Sequence, residues 1–193
     1  MESKNIFILI GHPDPEPTFT SALANSYGEG AREGGHQVRI QHLGKMQFDP
    51  ILHRGYKTIQ ALEPDLIQFQ ENITWANHVV ILYPNWWYSI PALLKGLFDR
   101  VWLPGFAFQF FKNGLGWHQK MRGKTARIFI CSLAHPLLSY LLFGDFTNEL
   151  SRGILGFSGF TTKINIFSSS EKASVKTHKR WLHFVRKLGK KGI

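Results

Sequence analysis

The chain is poor in cysteine: Cys131 is the only one among 193 residues. An intramolecular disulfide and a cysteine-built zinc site are therefore excluded, and a reducing compartment is the expectation. Long apolar runs are missing as well. The apolar opening is only Ile6 to Ile10, too short for a signal peptide, and no run approaches the roughly 20 residues of a spanning helix. The expected location is the cytoplasm. Acidic residues are scarce: 13 Asp and Glu stand against 23 Lys and Arg, for a net charge of +10. The excess is uneven, with eight Lys and Arg between Lys172 and Lys191. In "HKRWLHFVRKLGKKGI" the residues Trp181, Phe184, Val185 and Leu188 have helical spacing. That stretch is expected to pack on the core with a solvated basic back, so no nucleic-acid partner is expected. Nine histidines lack metal-ligand spacing, and no metal is expected. There is no Walker loop, no GxGxxG and no G-x-S-x-G elbow, and Ser132 and His135 are too close in sequence for a hydrolase triad.

What is present suffices for a core: 44% of residues are hydrophobic and 14% aromatic. The length suits a single domain over residues 1–193. Along it, apolar runs alternate with helical patterns. "KNIFILIGHP", "HQVRIQHL", "HVVILYP", "TARIFICS" and "TKINIF" read as strands. "FTSALANSYGEGAREGG", "PDLIQFQENITWAN", "SIPALLKGLFDRVW" and "ASVKTHKRWLHFVRKLG" read as helices. Leu137 to Leu155 reads in part as helical, and the glycines of Leu150 to Gly159 predict a loop. Central strands that are apolar throughout need cover on both faces. The fold class is therefore α/β: a doubly wound, five-stranded parallel sheet with helices on both faces. Ligands in such sheets sit beyond the carboxyl ends of the strands, which directs attention to residues 11–20, 83–90 and 131–140.

The first of these, "GHPDPEPTFTSAL", ends a strand and opens a helix. Free N–H groups, the helix dipole and the hydroxyls of Thr18 and Thr20 make an anion seat, and the His12 ring adds a donor. An ordinary capped helix is the alternative on this segment alone. The second places Asn85, Trp86, Trp87 and Tyr88 directly after Pro84. Such aromatics either fill a core or hold a flat ligand, and their place at a strand end favours the ligand.

"YPNWWYSIPALLKGLFDRVWLPGFAF" resembles the P-x-x-W-[FY]-x-x-P-A-x-L-K-G-[WF]-[FLI]-[DE]-R-V signature of the NAD(P)H:quinone oxidoreductases, which are flavodoxin-like flavoproteins. "ILIGHPDPEPTFTSAL" is similar to their phosphate loop, "KMQFDPIL" to their second-strand extension and "ILGFSGF" to their G-F-C-G segment. The resemblance implies a bound flavin, FMN or FAD, with NAD(P)H as co-substrate. His12, Thr18, Phe19 and Thr20 match the flavin phosphate loop. Pro84, Asn85, Trp86, Trp87 and Tyr88 match the loop that edges the flavin. Ser132, Leu133, Ala134 and His135 match the third flavin loop, where well-known relatives carry Thr-Thr-Gly-Gly. Tyr140 falls in register with a tyrosine near the flavin N1/O2 edge, and His135 stands in for a family histidine that is absent here. Asp99 and Trp102 match positions near a homodimer interface. Phe108 and Phe110 match aromatics that a partner subunit lends to the substrate pocket, where Trp87 and Tyr140 also belong.

The implied activity is reduction of quinones or similar flat electrophiles by a ping-pong route, with Tyr140 and His135 as candidate catalytic residues. Some relatives instead serve as flavin-binding ancillary subunits of potassium efflux systems, docking peripherally on a membrane transporter. Turnover distinguishes the two.

Overall fold

The computed structural model describes residues 2–193. Its elements run β1 (Asn5–Ile10), α1 (Phe19–Glu33), β2 (Gln37–His42), α2 (Pro64–Trp75), β3 (His78–Pro84), α3 (Ala92–Val101), β4 (Phe108–Phe110), β5 (Trp117–Gln119), β6 (Thr125–Ser132), α4 (Pro136–Phe143), a π-helical segment Glu149–Gly156, β7 (Thr161–Ser168) and α5 (Val175–Lys191). Five strands form one parallel sheet in the order β2-β1-β3-β6-β7. This is the flavodoxin-type doubly wound order, with its switch point between β1 and β3. Among the described residues no helix is long and apolar enough to cross a membrane.

Period-two geometry explains why the central strands look uniformly apolar. Phe7, Leu9, Val79, Ile81, Ile128 and Ile130 face α2 and α3, while Ile6, Ile8, Val80, Leu82 and Phe129 face α1 and α5. Each strand thus feeds two cores. On the second face α1 and α5 come close enough to need glycine: a Cβ on Gly30 would overlap the Arg186 carbonyl oxygen, and one on Gly189 the Tyr27 carbonyl oxygen.

The "DRVW" end of α3 is structural. Arg100 is 1% exposed and donates from Nη2 to Glu63 Oε2 (2.7 Å) and to Ala61 O (2.7 Å), and from Nη1 to Glu63 Oε1 (3.1 Å) and to Asp49 O. It pins the irregular 49–63 stretch onto the sheet layer. Burial raises the Glu63 carboxyl, but Arg100 and backbone N–H bonds from Asp49 and Glu63 together outweigh this and hold it below its ordinary range. The pair's contribution is therefore present at neutral pH and lost as pH falls through that lowered value. Glu63→Ala would strand a buried guanidinium, and about 3 kcal/mol of stability should be lost in urea unfolding. The Glu63→Ala, Arg100→Met pair should recover much of that loss.

Two sequence expectations change here. Residues 149–156 are π-helical rather than a loop, because Leu150 and Leu155 are fully buried and outweigh glycine freedom. Ser151 Oγ and Ser158 Oγ bond back to Thr147 O and Ile154 O. The antiparallel β4–β5 hairpin was not expected at all. Trp102, which the resemblance puts near a homodimer interface, is 7% exposed on the single chain; its Nε1 donates to Ile154 O (3.2 Å) and Ser158 Oγ (2.5 Å). Asp99 remains at the surface, paired with Lys95 at 2.7 Å.

Candidate functional site

At the carboxyl ends of the strands lies a cleft of about 500 Å³, lined by three stretches read from sequence and a fourth that was not. The first leaves β1. Gly11 N–H donates to Leu82 O at 2.7 Å, and a Cβ there would stand 3.0 Å from that same oxygen, so the close approach requires glycine. His12 Nδ1 accepts from Asp14 N–H (3.0 Å), which puts the proton of the neutral ring on Nε2. Its ring meets Trp86 edge-on at 5.8 Å. Thr18 caps α1: its Oγ1 accepts from Ser21 N–H (3.1 Å) while Ser21 Oγ accepts from Thr18 N–H (2.8 Å). That box leaves the N–H groups of Phe19 and Thr20 without a partner among the described residues, at the positive end of the helix dipole. The segment is thus a capped helix and an anion seat at once.

The second stretch follows β3. Asn85 N–H donates to Cys131 O at 2.8 Å. Trp86 and Ser89 then exchange two N–H···O bonds of 3.1 Å each, with Trp87 (φ 52°) and Tyr88 (φ 61°) at the centre. This left-handed pair normally falls to Asn and Gly, and aromatics there cost about 1–2 kcal/mol each. Strain of this kind gathers at ligand sites. Trp86 is 46% and Trp87 96% exposed, so the aromatics are not a core cluster. The turn directs the N–H groups of Trp87 and Tyr88 to no partner within the described residues. Ser89 Oγ anchors it through a 2.6 Å bond to Glu149 Oε2.

The third stretch ends β6. Ser132 is buried, with Asn85 Nδ2 at 3.5 Å from its Oγ, while Asn85 Oδ1 is buried with no partner. Leu133 and Ala134 follow, their N–H groups also unpaired among the described residues. Cys131 forms part of the floor, and burial pushes its thiol up to about 11. Cys131 should therefore resist a maleimide at pH 8 in the folded protein and react stoichiometrically after unfolding, as thiol titration would read.

Sequence reasoning missed Ser170 and Glu171, the fourth wall, tied in by Ser170 N–H to Ser132 O (3.2 Å). The strand-end rule that found the other stretches applies equally to the end of β7. Tyr140 and His135 are not brought to the cleft. Tyr140 is 60% exposed and lines a separate surface hollow with Asp145, Phe146 and Ile164. The reason is helical phase: Ser139 is a buried position of α4, and its neighbour turns away. His135 is exposed at the start of α4 and caps nothing with its side chain. Phe108 and Phe110 sit in the β4–β5 hairpin, where Phe108 packs against Phe157 at 5.0 Å and Phe110 is 53% exposed.

The assembled cleft offers unpaired N–H donors from three loops, one carboxylate (Glu171) and an aromatic rim. Among the described residues no three His, Cys, Asp or Glu side chains are grouped to hold a metal ion. Such a surface suits a flat ligand with a polar edge and an anionic tail. Comparison with known proteins agrees with this reading of the fold. The ribosyldihydronicotinamide dehydrogenase [quinone] of Pongo abelii is 29% identical over 188 residues, covering 83% of this chain and 79% of that protein. The solved structure of Smu.1420 from Streptococcus mutans UA159 superposes with a TM-score of 0.82 at 26% identity, covering 96% of this chain and 98% of the other. The NAD(P)H:quinone oxidoreductase of Methanothermobacter marburgensis superposes with a TM-score of 0.80 at 22% identity, covering 98% of each chain. Residues 4–182 match the family described as flavodoxin-like fold, and the chain belongs to that family.

Proposed function

We propose that the chain is a flavin-dependent NAD(P)H oxidoreductase that reduces quinones or similar flat electrophiles in a ping-pong cycle. The observation that carries this is the pairing, across one cleft, of a helix N-terminal anion seat with a strained aromatic turn. The name of the Pongo abelii relative supports the substrate class. The donor set fits a flavin. The N–H groups of Phe19 and Thr20, with His12 Nε2, would hold the phosphate. Those of Trp87, Tyr88, Leu133 and Ala134 would meet the polar edge of the ring, and Asn85 Oδ1, buried and unpaired, would accept from a ring N–H. When bound, the flavin supplies hydride transfer from NAD(P)H to the acceptor. The chain's contribution is position and field: N–H groups aimed where negative charge develops need no reorganisation when it appears. Tyr140 and His135 have no place in that set, and the loop N–H groups take the role expected of them.

A homodimer completes the reading, because Phe110 and Trp87 are large aromatics left open to solvent on a single chain. A cytoplasmic site of action fits a reductase fed by NAD(P)H. The test is the visible spectrum of the purified protein with FMN or FAD, followed by anaerobic addition of NADH or NADPH and then a quinone. Bound flavin that bleaches and recovers, with parallel double-reciprocal plots, is the expected result. A protein that takes up neither flavin would overturn the proposal. Flavin uptake without steady turnover would favour an ancillary role instead.

A further inference from the structure

A second cavity, of about 90 Å³, lies at the amino ends of the strands, roughly 20 Å from the cleft at about 3.3 Å per strand residue. Lys4, Arg127 and Lys163 line it, and no acidic residue does. The sheet register brings two of these cations together. Arg127 of β6 stands opposite Lys163 of β7, and Thr125, two residues before Arg127 and so on the same face, stands opposite His78 of β3. Like charges directly opposite on neighbouring strands repel. Arg127 is 6% exposed; its Nη1 donates to Asn165 Oδ1 (2.6 Å), a neutral acceptor, and its Nε is buried with no partner among the described residues. His78 is 3% exposed; its Nδ1 bonds to Thr125 Oγ1 (2.7 Å), and its Nε2 is likewise buried and unpaired. Burial, helped by Lys4, Arg127 and His36, pushes the His78 ring down to about 3, so it is neutral and offers hydrogen bonding rather than charge. Lys4 Nζ donates to Gly192 O (2.9 Å). Ile193 forms one wall, its O accepting from the Tyr27 hydroxyl (3.3 Å). Among the described residues no ion pair engages Lys4, Arg127, Lys163 or Ile193.

A buried guanidinium without a counter-charge is costly, and a lysine set beside it on the same face adds to the cost. The chain's own side chains supply no compensation, which is the mark of a site built for something else. We propose that this cavity is an anion site and that its ligand is a phosphate group. Three cations call for more than one negative charge, and donors from separate segments call for several acceptor oxygens; phosphate meets both. Arg127 Nε–H is one free donor. With the Thr125 hydroxyl donating to His78 Nδ1, His78 Nε2–H is another. Lys163 adds charge from β7 and Lys4 from the chain just before β1. Ala126 and Ile193 form apolar walls that keep water away and so strengthen each contact. A cavity of this size takes one such group and leaves the rest of a larger ligand at the surface. The site is separate from the anion seat of α1, at the other end of the sheet, and requires no flavin.

The experiment is calorimetric titration with inorganic phosphate, at an ionic strength held constant with sodium chloride, alongside thermal melting. Wild type should bind with a Kd of about 1 mM or tighter, and about 20 mM phosphate should then raise its melting temperature by about 4–7 °C. Lys163→Glu, at an exposed position, should weaken binding by about tenfold or more and lose most of that rise. Its melting temperature without phosphate should equal or exceed that of wild type, because the new carboxylate stands beside Arg127 and supplies the missing charge. Lys57→Glu makes the same charge change at an exposed position of the 49–63 stretch, on the other face of the sheet, and should keep both effects. AMP in place of phosphate separates the two sources. A tighter Kd, equally dependent on Lys163, assigns the phosphate of a nucleotide; an equal or weaker one assigns the free ion. No rise in wild type beyond that of chloride overturns the inference. Phosphate binding that survives Lys163→Glu unchanged overturns it too, by placing the ion elsewhere, such as the α1 seat.

Discussion

Thr20→Asp should abolish flavin binding while leaving the protein folded. Thr20 occupies the second position of α1, is 3% exposed, and has a free N–H beside that of Phe19. A carboxylate there gains about 0.3–1 kcal/mol from the helix dipole, set against the cost of burying its charge and of losing the Thr20 Oγ1 contact with Cys131 Sγ at 3.8 Å. The same charge stands where the flavin phosphate would lie. Two like charges 4 Å apart at an effective dielectric constant of 20 repel by about 4 kcal/mol, which is on the order of a thousandfold in Kd. Thr20→Asn, similar in size and neutral, should bind within about tenfold of wild type. The contrast between the two variants is the diagnostic: both stay folded by circular dichroism, and only Thr20→Asp fails the flavin titration. Unchanged flavin affinity in Thr20→Asp would show that the anion seat of α1 is not where the phosphate sits.

That seat was legible because it follows from a local rule: a strand, a tight turn at Gly11 and a capped helix leave N–H groups free whatever the rest of the chain does. The sheet was legible for a related reason. Strands buried on both faces carry no alternation, so runs such as "HVVILYP" announce themselves. The aromatic turn was found by position, yet its conformation was not foreseeable, because Trp and Tyr are poor residues for left-handed backbone and local propensity argues against it. Tertiary contacts decide the remainder. The strands of the β4–β5 hairpin are three residues each, below the length at which a pattern shows. Tyr140 was assigned by register in a sequence pattern, but the direction of its side chain depends on where α4 begins, and Pro136 sets that one residue after the loop. The Trp102 indole N–H bonds to the 154–158 turn, a contact between distant segments that no local pattern announces.

Gly30→Ala should cost roughly 3 kcal/mol, although alanine is the better helix former by about 1 kcal/mol. The new Cβ would meet the Arg186 carbonyl, and backbone against backbone has no rotamer by which to escape. α5 would have to move outward. That would loosen the Phe19–His178 stack at 4.3 Å, the Ser26 Oγ bond to Leu182 O at 2.9 Å and the Arg186 pair with Glu29. At about 2–4 °C per kcal/mol for a domain of this size, the melting temperature should fall by about 6–12 °C. Gly28→Ala on the same helix is the control. Its Cβ would meet Ile40 Cδ1 at 3.3 Å, the end of a half-exposed side chain that can turn aside, so a neutral or slightly stabilising change is expected. The contrast separates helix propensity, equal in both, from the α1–α5 contact, present in one. It also reaches the site. Ser170 and Glu171 lead into α5, so a displaced helix shifts the fourth wall of the cleft while the α1 seat stays in place. Flavin affinity should then weaken by far less than in Thr20→Asp, and a loss just as large would mean that α5, and not the anion seat, is the chief support of the bound ligand.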